Sequence, residues 1–96
     1  MVWLPGPYHE KHPVKIAVVV PKRNLSKANQ RNRMKRLMRE AYRLNKSPVV
    51  AMAHKHQKGF LLLFIAHVNN PLTFPETQEK IILLLQRLIA QHAVSA

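Results

Sequence analysis

The apolar positions of this chain change period as it proceeds. Val14 to Val20 reads VKIAVVV, rich in β-branched residues and closed by Pro21, which predicts a strand. From Lys27 to Asn45 the spacing becomes helical. At 100° per residue Met34, Leu37, Met38, Ala41, Tyr42 and Leu44 share one arc. Ser26 or Asn24 is expected to cap this helix, and Pro48 blocks its continuation. Phe60 to Val68 is an unbroken apolar run of strand length, expected to be buried on both faces or nearly so. Asn69, Asn70 and Pro71 make a turn. Thr73 and Glu76 then have the spacing of a capping box, opening a second helix that runs to about Gln91. Its apolar positions are Ile81, Ile82, Leu84, Leu85, Leu88 and Ile89.

The remaining segments carry weaker patterns. Val2 to Leu4 predicts a short strand, followed by a polar turn holding Pro5, Gly6, Pro7 and Pro13. Between Ser47 and Lys58, Val49 to Ala53 has room for a short helical turn, and His54, Lys55, His56 and Lys58 read as a basic loop. The order strand, strand, helix, strand, helix predicts a small α+β sandwich in one domain over residues 1–96. Its two helices pack on a small sheet and gain about 25 cal/mol for each Å² of apolar area they bury. One face of the sheet, or part of it, is left open. There are no internal repeats and no linker.

Charge changes the picture. Sixteen basic residues against four acids give a net charge of +12 at pH 7, far beyond what solubility requires. Such an excess points to nucleic acid or an anionic membrane. Lys22 to Lys46 holds ten of the sixteen basic residues and a single acid, Glu40. On the central helix Asn32, Lys35, Arg36, Arg39 and Arg43 form an arc opposite the apolar one, with Arg31 and Arg33 on its flanks. Like charges at helical spacing repel one another, so a face of this kind calls for a polyanionic partner. Arginine predominates there, and its planar fork holds phosphate in two bonds and stacks on bases. Glu40 is expected to pair with Arg36 or Arg43.

The residue inventory argues against chemistry by the chain itself. There is no cysteine, hence no disulfide framework and no thiolate metal site. The six histidines have no carboxylate or cysteine cluster beside them, so they read as loop residues near a polyanion. The only acids are Glu10, Glu40, Glu76 and Glu79, which give no carboxylate pair for two-metal phosphoryl transfer and no Ser/His/Asp set. Phe60 and Phe64 share a parity and are expected in the core. Trp3 and Tyr8 are free to stack on an unpaired base. The longest apolar run is too short to span a bilayer and the amino terminus lacks the signature of a signal peptide, so the chain reads as soluble and cytoplasmic.

RNRMKRLMREAYRLNK resembles the protein component of bacterial ribonuclease P, a family with a helix motif of the form RNRxKRLxRExxR. The match covers Arg31, Asn32, Arg33, Lys35, Arg36, Leu37, Arg39, Glu40 and Arg43. VKIAVVVPKR, with Lys22 and Arg23, is similar to the family's strand and its basic exit. FLLLFIAH and the leucine-rich last helix fit the family's last strand and helix, so the likeness spans about residues 14–88.

The resemblance implies a fold like the second domain of ribosomal protein S5, with a left-handed βαβ crossover. It implies a large catalytic RNA as partner and removal of the 5′ leader of precursor tRNA by hydrolysis of one phosphodiester. RNA and its bound Mg2+ perform the chemistry; this chain supplies no catalytic residue and no metal ligand. The RNA-binding set it implies is Lys22, Arg23, Lys27, Arg31, Asn32, Arg33, Lys35, Arg36, Arg39 and Arg43. Trp3 and Lys15 are the candidates for gripping the leader. No membrane and no obligate protein partner are expected. The chain departs from the family by starting almost within its first strand, so that either the family's N-terminal helix is absent or the start is misplaced, and by Ala17 and Asn29 where glycine and valine are usual. The rival reading is a structural RNA-binding protein of ribosomal type, and a weaker one is a basic helix on anionic membranes.

Overall fold

A computed structural model describes residues 1–94 in backbone and 1–92 in side chains. The elements are β1 (Val2–Gly6), β2 (Val14–Val19), α1 (Ala28–Asn45), α2 (Ser47–His56), β3 (Gly59–Ile65) and α3 (Phe74–Val94). The three strands form a mixed sheet in the order β1-β3-β2. β1 runs antiparallel to β3, with Trp3 opposite Leu62, and β2 runs parallel to β3, with Ile16 opposite Leu62. Parallel neighbours need a long crossover, which α1 and α2 provide. The molecule is elongated, 42 × 22 × 20 Å.

Strand alternation sorts the side chains. Phe60, Leu62, Phe64 and Val18 point to one face, where they are at most 8 % exposed. Met34, Met38 and Tyr42 of α1, Val49 and Met52 of α2, and Ile81, Leu85 and Leu88 of α3 close over them. Burial pushes the Tyr42 phenol up to about 12. Leu61, Leu63 and Ile65 point the other way, with Val2 and Leu4 of β1 and Lys15, Ala17 and Val19 of β2. Among the described residues no helix covers this second face: Val2 is 50 %, Leu4 55 %, Leu61 40 % and Val19 41 % exposed. The run from Phe60 is therefore buried on one side, not both, because all three helices pack on the same face.

α2 corrects the expected order, which has two helices. Pro48 ends α1, as expected, but it also sits in the first turn of a new helix, where its missing N–H is no loss. Val49, Met52 and Ala53 then fall one turn apart and are buried. His54 to His56 continue this helix in place of a basic loop. Gln57 closes it in the left-handed region (φ 51°), its N–H donating to His54 O and that of Lys58 to Ala53 O. The chain then enters β3 at Gly59, where a Cβ would stand 2.1 Å from the Pro7 carbonyl oxygen. Only glycine lets the β1–β2 loop approach so closely.

α3 begins as its capping box predicts. Thr73 N–H donates to Glu76 Oε1 at 3.2 Å and Glu76 N–H to Thr73 Oγ1 at 3.4 Å. Bonds from Thr73, hydroxyl first, hold the Glu76 carboxyl below the usual carboxylate range.

Candidate nucleic-acid interface

α1 presents its basic residues outward because its apolar ones are drawn under the sheet. Asn32, Arg33, Arg36, Arg39 and Arg43 are exposed, and Lys35 is half-buried at the margin. Lys22, Arg23 and Lys27, on the connection from β2, are exposed as well. Glu40 pairs with Arg43, Nε to Oε2 at 3.0 Å, and not with Arg36. That hydrogen bond holds the Glu40 carboxyl below its ordinary range. Arg36 and Arg39 make no ion pair within the described residues, so this part of the arc meets solvent with its charge unpaired.

Arg31 differs from its neighbours. It lies about 60° from Met34 on the helical wheel, inside the buried arc, and is half-buried. Its Nη1 donates to the carbonyls of Leu25 at 2.9 Å and Ser26 at 2.7 Å. The cap expected from Ser26 or Asn24 does not form: Lys27 is the N-cap residue and no side chain bonds the helix end. Arg31 ties down the preceding carbonyls instead. The buried Asn24 Oδ1 has no hydrogen-bond partner among the described residues.

The apolar arc is also corrected at its C-terminal end. Leu44 is 53 % exposed, and Asn45 takes the inward position. Its Nδ2 donates to Ala41 O at 2.8 Å and to Gln78 Oε1 at 3.0 Å, fastening α1 to α3. Leu44 lies about 80° from Met34 on the side away from Met38 and Tyr42, a signal present in the sequence.

The two leader candidates fall on opposite faces of the sheet. Lys15 stands on the open face beside Leu61. Trp3 lies on the covered face, half-buried, its ring meeting Phe60 and His92 edge to face at centroid distances of 5.8 and 5.0 Å. Among the described residues no three His, Cys, Asp or Glu side chains gather to hold a metal ion, and no helix is long and apolar enough to cross a membrane.

A small mixed sheet under three helices, with one helix turning a dense cationic face outward, defines an α+β protein built to meet a polyanion. The chain belongs to the Ribonuclease P family, whose model matches residues 2–89. It is a protein component of that endoribonuclease, a ribonucleoprotein of tRNA processing, and its partner is the ribonuclease P RNA. No solved structure matches the chain.

Proposed function

We propose that the chain docks on the ribonuclease P RNA through the exposed arc of α1 and the connection before it, and guides the 5′ leader of precursor tRNA over the open sheet face. Lys22, Arg23, Lys27, Asn32, Arg33, Lys35, Arg36, Arg39 and Arg43 meet phosphates of the RNA. Arg31 shapes the connection that carries three of them. Lys15 and the apolar residues around it receive the unpaired leader, and Trp3 pins β1 in place from beneath. Hydrolysis and the Mg2+ ions that assist it belong to the RNA, and the chain lowers repulsion between two polyanions. It works in the cytoplasm and needs no further protein.

The single observation that supports this most is the exposed, nearly unpaired arginine arc on a helix whose other side is core. Contact with four to six phosphates gives a log–log salt slope of about −4 to −5. The test is reconstitution with a bacterial ribonuclease P RNA at low magnesium, reading leader removal. Stimulation by the chain is expected. RNA binding without stimulation would favour a purely structural role.

A further inference from the structure

A second basic surface lies at the pole where β2 and β3 begin. The β1–β2 loop and the end of α2 meet there: Val14 pairs with Phe60, and Phe60 N–H donates to Pro13 O at 2.9 Å. The Tyr8 hydroxyl and His54 Nδ1 join the two segments at 2.8 Å. His9, Lys11, His12 and Lys15 line an open recess of about 490 Å³ with Glu10. Lys55 and Lys58, both exposed, follow His54 on the other segment.

Cations in the last turn of α2 are accounted for by the carbonyl end of the helix. That account stops at the helix. Lys11 and Lys15 stand outside α2 and add repulsion, with His9, His12 and Glu10, the one acid of the recess, beside them. A basic recess of this kind suits an anion.

We propose that this pole is a second RNA-binding surface, holding the phosphate backbone of a segment of the partner RNA other than the one lying on α1. The proposal rests on the RNA-binding reading of α1 and extends it from one surface to two. α1 begins beyond the C-terminal end of β2, whereas the pole lies at its N-terminal end, so the length of a six-residue strand, roughly 20 Å, separates the pole from the first turns of α1 with Asn32 and Arg33, while the helix runs back toward the pole with Arg43 in its last turn. The open sheet face between them, which the proposed function gives to the leader, carries Lys15 as its one charged side chain. A basic pole at one end of the sheet and the start of the α1 arc at the other suit two segments of one folded RNA, and holding both raises the effective concentration of each for its site.

The test uses the intact chain with a ribonuclease P RNA. Lys11→Ala, Lys55→Ala and Lys58→Ala are combined in one variant; all three side chains are exposed, and an unchanged thermal melt confirms the fold. The expected result is a salt slope flatter by about two units, with a loss of affinity that multiplies with that of an Arg36→Ala, Arg39→Ala variant. Because the chain lacks cysteine, Glu10→Cys and Ala28→Cys can each carry an iron–EDTA cleavage reagent. They are expected to cut the RNA in two different segments. An unchanged slope in the lysine variant, with the arginine variant flattened, overturns the second surface and leaves the α1 reading standing. Cuts in one shared segment overturn the two-segment arrangement. A flattened lysine variant beside an unchanged arginine variant overturns both, since a single surface then remains. Lysine-dependent binding to anionic vesicles with RNA binding unaltered would assign the pole to lipid and overturn the proposal.

Discussion

The Arg31 guanidinium is bonded to the Leu25 carbonyl, six residues back, at 2.9 Å, and one nitrogen serves both that oxygen and Ser26 O. The bond spans the turn between β2 and α1 and fixes the direction in which Lys22, Arg23 and Lys27 leave the sheet. Arg31→Ala removes a charged donor from two carbonyls, and is expected to lower stability by about 1.5–3 kcal/mol. Arg31→Lys restores the charge without the planar fork and should recover only part of it. RNA affinity is expected to fall several-fold in both, through the displaced connection, while the salt slope stays within about half a unit of the parent. Chemical denaturation and a salt titration read the two effects separately. A slope flattened by a full unit would mean that Arg31 itself sits on a phosphate.

Arg36 and Arg39 are predicted to behave in the opposite way. Both are exposed, and neither belongs to the Glu40–Arg43 pair. Arg36→Ala with Arg39→Ala should leave the melting temperature nearly unchanged, as surface substitutions do. The salt slope of RNA binding should flatten by about two units. An unchanged slope would take this face of α1 out of the interface.

The capping box of α3 predicts a dependence on acid. Thr73 holds the Glu76 carboxyl below its ordinary range in the folded chain. A carboxyl with a lowered folded-state pKa contributes stability above its unfolded pKa and loses it as the pH falls through the lowered value. Thr73→Ala is expected to lose about 1 kcal/mol near neutrality. The gap between parent and variant should shrink as the pH drops below the usual carboxylate range. Thermal melts of both proteins across that range are the measurement; a gap that stays constant in acid would show that the hydroxyl acts without the carboxylate.

Where pattern alone decided an element, the sequence was legible. β2, α1, β3 and α3 lie within a few residues of their expected spans, because each carries a full period of its own kind and a Pro, Gly or capping residue at its boundary. α2 was not. Ten residues give barely three turns, and His54-Lys55-His56 looks like loop composition when only charge is considered. Its helicity comes from Val49, Met52 and Ala53 finding the sheet and α3, contacts that exist only after the chain has folded. The site was legible in its residue types but not in its division of labour. The motif places Arg31 among the phosphate binders; the wheel angle, not the motif, turns it inward. Trp3 follows the same rule: pairing opposite Leu62 decides which face it occupies, and no local pattern reveals that partner.

Gln57 offers a prediction in the direction of greater stability. It closes α2 at φ 51°, the one positive φ outside glycine among the described residues. A left-handed residue with a Cβ carries a conformational penalty that glycine avoids. The bonds at this turn use backbone atoms only: Gln57 N–H to His54 O at 3.2 Å and Lys58 N–H to Ala53 O at 3.1 Å. The Gln57 side chain is exposed, so its removal opens no cavity. Gln57→Gly is therefore expected to raise stability by about 0.5–1 kcal/mol, and Gln57→Val, whose branched side chain tolerates this conformation poorly, to lower it by at least as much. Because the turn delivers the chain to Gly59 and the close approach of Pro7, loss of stability in the valine variant should be accompanied by faster amide exchange at Lys58 and Gly59. Denaturant titration of the three proteins gives the order glycine, parent, valine; a glycine variant no more stable than the parent would mean that the left-handed turn is not strained by its side chain.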